Sequence, residues 1–169
     1  MNPMQQLRIE KVTLNIGAGT DQKKLEKGMK LLKNITGISP VRTFTSKRIP
    51  SWGLRPGLPI GCKLTIRKEK AKEILVRLLK AKDNRLKPEQ VDKQGNISFG
   101  IHEYIDIPGV NYDPEIGVMG LEVCVSIEKP GYRIKRRKVR RGKIRKRHAV
   151  TKQETIEFMK KEFGVIFGE

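Results

Sequence analysis

Lys11-Val12-Thr13-Leu14-Asn15-Ile16-Gly17-Ala18-Gly19 alternates apolar and polar side chains up to Ile16 and then stops on glycine. Val12, Leu14 and Ile16 fall on one side and Lys11, Thr13 and Asn15 on the other, the period-two pattern of a strand with one buried face. Directly afterwards the period changes. Leu25, Met29, Leu32 and Ile35 recur at helical spacing, with Thr20 placed to cap the helix and Gly37, followed by Pro40, placed to end it. Further along, Val41–Thr45 reads as a second strand. In the next, Ile60, Cys62, Leu64 and Ile66 face one way while Gly61, Lys63, Thr65 and Arg67 face the other. Ala71, Ile74, Leu75, Leu78 and Leu79 make the stripe of a second helix stopped by Asp83-Asn84. Asn96–Ile101 and Leu121–Ile127 are two more alternating strands. Thr151-x-x-Glu154 is a capping box opening a last helix with Ile156, Met159 and Phe163 inward.

The order β-α-β-β-α-β, with one extra strand and a C-terminal helix, predicts an α+β fold of the split β-α-β, ferredoxin-like kind. Its antiparallel sheet carries helices on one face only. Residues 1–130 are expected to form a single RNA-binding domain with a long basic loop over 46–59. Residues 131–150 form a basic arm, and 151–169 a C-terminal helix packed on the body. If the apolar phases lie under the helices, Lys11, Thr13, Asn15, Lys63, Thr65 and Arg67 share the open face, where cations and hydrogen-bonding groups suit phosphates and sugar hydroxyls.

Charge supports that reading. The 169 residues hold 37 Lys+Arg against 18 Asp+Glu, a formal +19, and two acid-free segments supply all but one unit of it. Residues 41–68 carry seven cations and residues 133–148 carry eleven. A neutral body with two cationic surfaces implies a polyanionic partner. The arm cations are Arg133, Lys135, Arg136, Arg137, Lys138, Arg140, Arg141, Lys143, Arg145, Lys146 and Arg147; with no regular apolar pattern among them, the free arm is expected to stay extended and to neutralise phosphates on binding. In the 46–59 loop, Lys47, Arg48 and Arg55 stand among prolines and glycines. Trp52 there either stacks on a base or sugar or folds back onto the sheet edge.

Other chemistries find little purchase. Cys62 and Cys124 are too few for a disulfide framework and suit a reducing, cytosolic compartment; neither a signal peptide nor a membrane span is expected. Gly17-Ala18-Gly19 lacks the third glycine of a dinucleotide fingerprint, where Gln22 stands, and no P-loop is present. His102 and His148 are far apart in sequence and neither cysteine has a C-x-x-C partner, so no metal site and no cofactor is expected. Glu103, Asp106, Asp113 and Glu115 leave a magnesium-dependent RNA-processing enzyme as a rival, although Tyr112-Asp113-Pro114-Glu115 reads as a turn. A single-strand binder of the RNA-recognition-motif type lacks its aromatic signature.

Lys11–Gly19, Thr36-Gly37-x-x-Pro40-Val41, Pro59–Arg67, Asn96-x-x-Phe99-Gly100-Ile101-x-Glu103 and Tyr112-Asp113-Pro114-x-Ile116-Gly117 resemble, in order, successive blocks of the large-subunit ribosomal protein L-five family. Pro130-Gly131-Tyr132 and Arg147-His148 in the basic arm resemble the archaeal and eukaryotic type. The resemblance implies a non-catalytic, cytoplasmic ribosomal protein that docks 5S ribosomal RNA in the central protuberance. Its implied neighbours are large-subunit ribosomal RNA, the L-eighteen protein and peptidyl-site transfer RNA, with no homo-oligomer. The family's 5S-contacting asparagine and threonine match Asn15 and Thr65, and its loop to the transfer-RNA elbow matches residues 46–59. Where the family often has a glutamine, this chain has Ile38.

Overall fold

In the computed structural model, which describes residues 2–168, the opening βα unit is strand β1 (Arg8–Gly17) followed by helix α1 (Gln22–Thr36). The helix starts one residue later than its pattern suggests. Asp21, not Thr20, is the cap: its carboxylate accepts the backbone N–H groups of Lys23 at 2.9 Å and Lys24 at 3.2 Å. A charged acceptor at the positive end of the helix satisfies two free donors at once. Gly37, with φ 71°, closes the other end, a left-handed position that costs a residue with a Cβ about 1 kcal/mol or more.

Next come β2 (Val41–Phe44), β3 (Pro59–Ile66), α2 (Lys68–Lys80), the short β4 (Arg85–Leu86), β5 (Ile97–Ile101), β6 (Leu121–Glu128), the single turn α3 (Arg133–Arg136), α4 (Lys152–Phe163) and β7 (Ile166–Phe167). The main sheet has the order β2-β3-β1-β6-β5. In it β3 runs antiparallel between β1 and β2, so β1-α1-β2 is a split unit; β1 runs antiparallel between β3 and β6, which makes the second. The strand completing this second unit is β6 rather than β5. The extra strand, β5, pairs outside it at the sheet's edge. β4 and β7 form a separate parallel pair.

Helices α1 and α2 cover one face. Val12, Leu14, Leu31, Leu32, Leu75, Leu78, Val123 and Val125 are all fully buried in the layer between helices and sheet; each such side chain contributes about 1.5–3 kcal/mol when withdrawn from water. Arg77 of α2 ties the covering layer together by donating to the carbonyls of Ile35, at the end of α1, and Pro108. Among the described residues no helix is long and apolar enough to cross a membrane.

One irregularity shapes the open face. The β1–β6 register shifts between Ile9 and Lys11, so that Ile9 pairs with Ile127 and Lys11 with Ser126. Glu10 is the extra residue of a bulge. Ile9 and Val12 consequently both remain in the core, and Glu10 is left without a pairing partner on β6.

Helix α4 docks differently from its sequence pattern. Met159 is buried, but Ile156 and Phe163 are only partly so, and Thr155 takes the innermost place, its hydroxyl donating to the Gly95 carbonyl at 3.1 Å. At the N-terminus of α4 the buried Lys129 ammonium donates to both Glu154 carboxylate oxygens, at 2.7 and 2.9 Å. Partial burial would raise the pKa of Glu154, but the bonds from Lys129 and Thr151 outweigh it and hold the carboxyl below the usual glutamate value. A depressed carboxyl contributes stability above its unfolded pKa and loses it as pH falls through the folded one. Acid should therefore loosen α4 below the ordinary glutamate range. In Glu154→Gln the acid-induced rise in proteolysis of the C-terminal segment should be smaller; an identical profile would assign it to another group.

Candidate nucleic-acid interface

The face of the sheet away from the helices is polar across its middle three strands. Thr13 lies opposite Thr65 on β3 and Cys124 on β6; Asn15 lies opposite Lys63 and Glu122; Lys11 lies opposite Ser126. Lys63 and Thr65 are exposed, and Lys11, Thr13 and Asn15 half-buried in the plane. Arg67 is exposed just beyond the end of β3, followed by Lys68 with φ 62°. The structure thus brings together the five strand residues singled out by alternation and puts Arg67 at their margin. What that selection omitted is the β6 contribution. Glu122, Cys124 and Ser126 alternate with Leu121, Val123, Val125 and Ile127, so the parity that located the core also located them. Glu122 accepts from the Asn15 amide at 3.1 Å, which orients that side chain and leaves its carbonyl oxygen as an acceptor. Cys124 has its thiol pKa raised by partial burial and by the Glu122 charge, and burial pushes Cys62, on the core side, up to about 11.

The 46–59 loop extends the β2–β3 edge as a folded hairpin. Thr45 N–H donates to the Leu58 carbonyl and Gly57 N–H to that of Thr45; Ile49 and Leu54 bridge, with Leu54 buried as the anchor. Lys47, Arg48 and Arg55 are all exposed. Trp52, in the 3-10 turn Pro50–Trp52, is 70% exposed and so does not lie back on the sheet edge. Ile38 packs against the core, so the position where the family often has glutamine is apolar support here.

The arm departs from expectation. It is no extended tail but a loop fastened at its base: Tyr132 Oη accepts the Val150 N–H at 2.8 Å, and a His148 ring nitrogen lies 2.7 Å from the Pro130 carbonyl. Arg136 pairs with Glu10, the extra residue of the bulge, and lies 2.9 Å from Glu128, which also binds Arg8 at 2.7 Å. Glu128 is only 5% exposed, and a carboxylate so far from water needs its cations. Self-repulsion among the eleven arm charges loses to this pairing because its partners are on β1 and β6, which no local pattern in the arm reveals. Arg136 is therefore committed to the protein, and the other ten cations remain exposed.

Two of the four loop carboxylates, Asp113 and Glu115, are committed as well. Asp113 accepts the Glu115 N–H at 3.0 Å, as its turn predicts, and lies 2.9 Å from Lys30, which also binds Glu115. The bonds from Glu115 and Asp113 raise the Lys30 pKa, and Lys30 in turn lowers that of Asp113. Among the described residues no group of three or more His, Cys, Asp or Glu side chains is placed to hold a metal ion.

A split β-α-β sheet with one open polar face, flanked by a basic hairpin and a basic loop, is an α+β arrangement whose cationic surfaces suit a polyanion. Residues 2–55 match the family model described as ribosomal protein L5, and residues 59–158 match the model for the C-terminus of that same ribosomal family. The chain is 50% identical over 165 residues to the large ribosomal subunit protein uL5 of Nanoarchaeum equitans, with 97% of each chain covered. It is 47% identical to that of Methanosphaera stadtmanae, with 98% of each covered, and 45% identical to that of Sulfurisphaera tokodaii, over 100% of this chain and 96% of the other. The chain belongs to the ribosomal protein L5 family, a family of structural ribosomal proteins and not of enzymes.

Proposed function

We propose that this protein, as a constituent of the large ribosomal subunit, binds 5S ribosomal RNA on the open sheet face. In that reading it docks the RNA in the central protuberance beside the L-eighteen protein and touches peptidyl-site transfer RNA with the 46–59 hairpin. The observation that carries the reading is the joint placement of Lys11, Thr13, Asn15, Lys63 and Thr65 on one uncovered surface. Donors, acceptors and cations set side by side on β1 and β3 can address phosphates and 2′-hydroxyls without opening the RNA. The hairpin's three cations project from a separate edge, so the two RNA contacts are divisible. The arm adds phosphate neutralisation on large-subunit RNA.

The division supplies the test. Asn15→Ala with Thr65→Val should weaken 5S RNA binding by about 1–3 kcal/mol, the cost of leaving polar partners unpaired in a complex, with little change in folding because both side chains lie off the core. Serine at 47, 48 and 55 should leave 5S affinity nearly intact and lower transfer-RNA retention in the peptidyl site of assembled subunits. Unchanged 5S affinity in the first variant, by fluorescence titration, would remove the sheet face from the recognition surface. A collapse of 5S affinity in the second would reassign the hairpin.

A further inference from the structure

Between the arm and the turn preceding β5 lies an open groove of about 1100 Å³. Lys93 stands on one wall; Lys135, Arg141 and Lys143 stand on the other, with Lys11 at the sheet end. Both walls are ordered by the protein itself. On the turn side, Asp92 Oδ1 accepts the N–H groups of Gln94 at 2.7 Å and Asn96 at 2.9 Å. On the arm side, Arg136 is clasped by Glu10 and Glu128, and Arg141 Nε donates to the Lys135 carbonyl at 2.8 Å, which leaves its terminal nitrogens free. Because Arg136 and Arg8 together neutralise Glu10 and Glu128, the remaining lysines and Arg141 face the groove as net positive charge. The lining is not purely ionic. Asn96, whose amide nitrogen is committed to Asp92, keeps a carbonyl acceptor, and Ser126 offers a hydroxyl.

We propose that this groove holds a single RNA strand, its phosphates between the cations of the two walls and its ribose hydroxyls or base edges against Asn96 and Ser126. The proposal rests on the reading of the arm as RNA-binding and goes beyond it by assigning a path and a strandedness. A duplex keeps its bases stacked and shows its 2′-hydroxyls and base edges only across a shallow minor groove, whereas an unpaired strand can lay phosphate, ribose and base edge together between two walls. Two cationic walls, each fixed before binding, also spare the strand most of the ordering cost of a disordered tail.

The test uses the full-length protein and a short fluorescein-labelled uridylate oligomer at fixed salt. Lys93→Gln with Lys143→Gln removes one cation from each wall; Lys138→Gln with Lys146→Gln removes two arm cations outside the groove. All four side chains are exposed, so folding is not at stake. The groove pair should lose about tenfold in affinity, the outside pair about threefold or less. The deoxyuridylate oligomer and an RNA duplex of equal length should bind the parent protein more weakly. Equal losses from the two pairs would abolish the groove and leave general phosphate binding by the arm intact. No loss from either pair, on oligomer and on large-subunit RNA alike, would refute the arm reading itself. A duplex that binds as tightly as the single strand would refute the strandedness.

Discussion

Converting Lys135, Arg137, Lys138, Arg140, Lys143 and Lys146 to glutamine should make binding to large-subunit RNA far less sensitive to salt. Each phosphate contact contributes roughly 0.7–0.9 to the slope of log K against log[salt], so the slope should become shallower by about 4–5 if all six meet phosphates and by about 2 if half do. Titrations over a salt series on several RNA sequences measure this, and the loss should be similar across sequences because phosphates carry no base code. Arg136 is left out for a structural reason. It is clasped by Glu10 and Glu128, so Arg136→Gln should scarcely alter the slope and should instead make the arm easier to cleave with protease. A slope unchanged by the six substitutions would leave the arm no part in RNA binding.

The second large effect is on stability. Gly95 has φ +77°, and a Cβ there would sit 2.5 Å from Thr155 Oγ1 and 2.5 Å from Val150 Cγ1. Neither neighbour is free to withdraw: Thr155 is fully buried against the Gly95 carbonyl, and Val150 is buried and held by Tyr132. Gly95→Ala should therefore cost about 2–4 kcal/mol, strain and overpacking combined. Gly117→Ala is the matched comparison, since φ is +71° and nothing lies within 4 Å of the added carbon; it should cost only about 1 kcal/mol. Urea unfolding of the two variants separates the contributions. Equal midpoints would show that the seat of α4 against the β5 turn is not under tension.

Much of this fold was readable from alternation. β1, β3, β5 and β6 all show period two, and parity alone placed Asn15 and Thr65 on the face where the structure has them. Three features escaped for physical reasons. The pairing of β6, rather than β5, with β1 depends on which strand completes the second split unit, and periodicity carries no pairing information. Thr155 takes the inward place on α4 because it has a carbonyl to bind at Gly95, and a polar residue with a remote partner looks like a surface residue in sequence. The arm's order depends on Glu10, whose availability comes from a bulge that flanking alternation does not announce. The candidate site divides in the same way. Its strand residues were legible, whereas the groove exists only once the arm is tied down.

The central position of β1 has a consequence for the order of synthesis. Its partner on one side, residues 61–66, emerges long before its partner on the other, residues 121–128. At roughly 5–20 residues per second, one edge of β1 waits about 3–12 s for β6. During that interval the edge presents free N–H and C=O groups that a second nascent chain can pair with. Arg8, Glu10 and Lys11 crowd the early part of the waiting strand with charge, and such residues discourage edge-to-edge pairing. The same Arg8 and Glu10 later receive Glu128 and Arg136, so the groups that guard the unfinished sheet become those that close it once β6 and the arm have emerged.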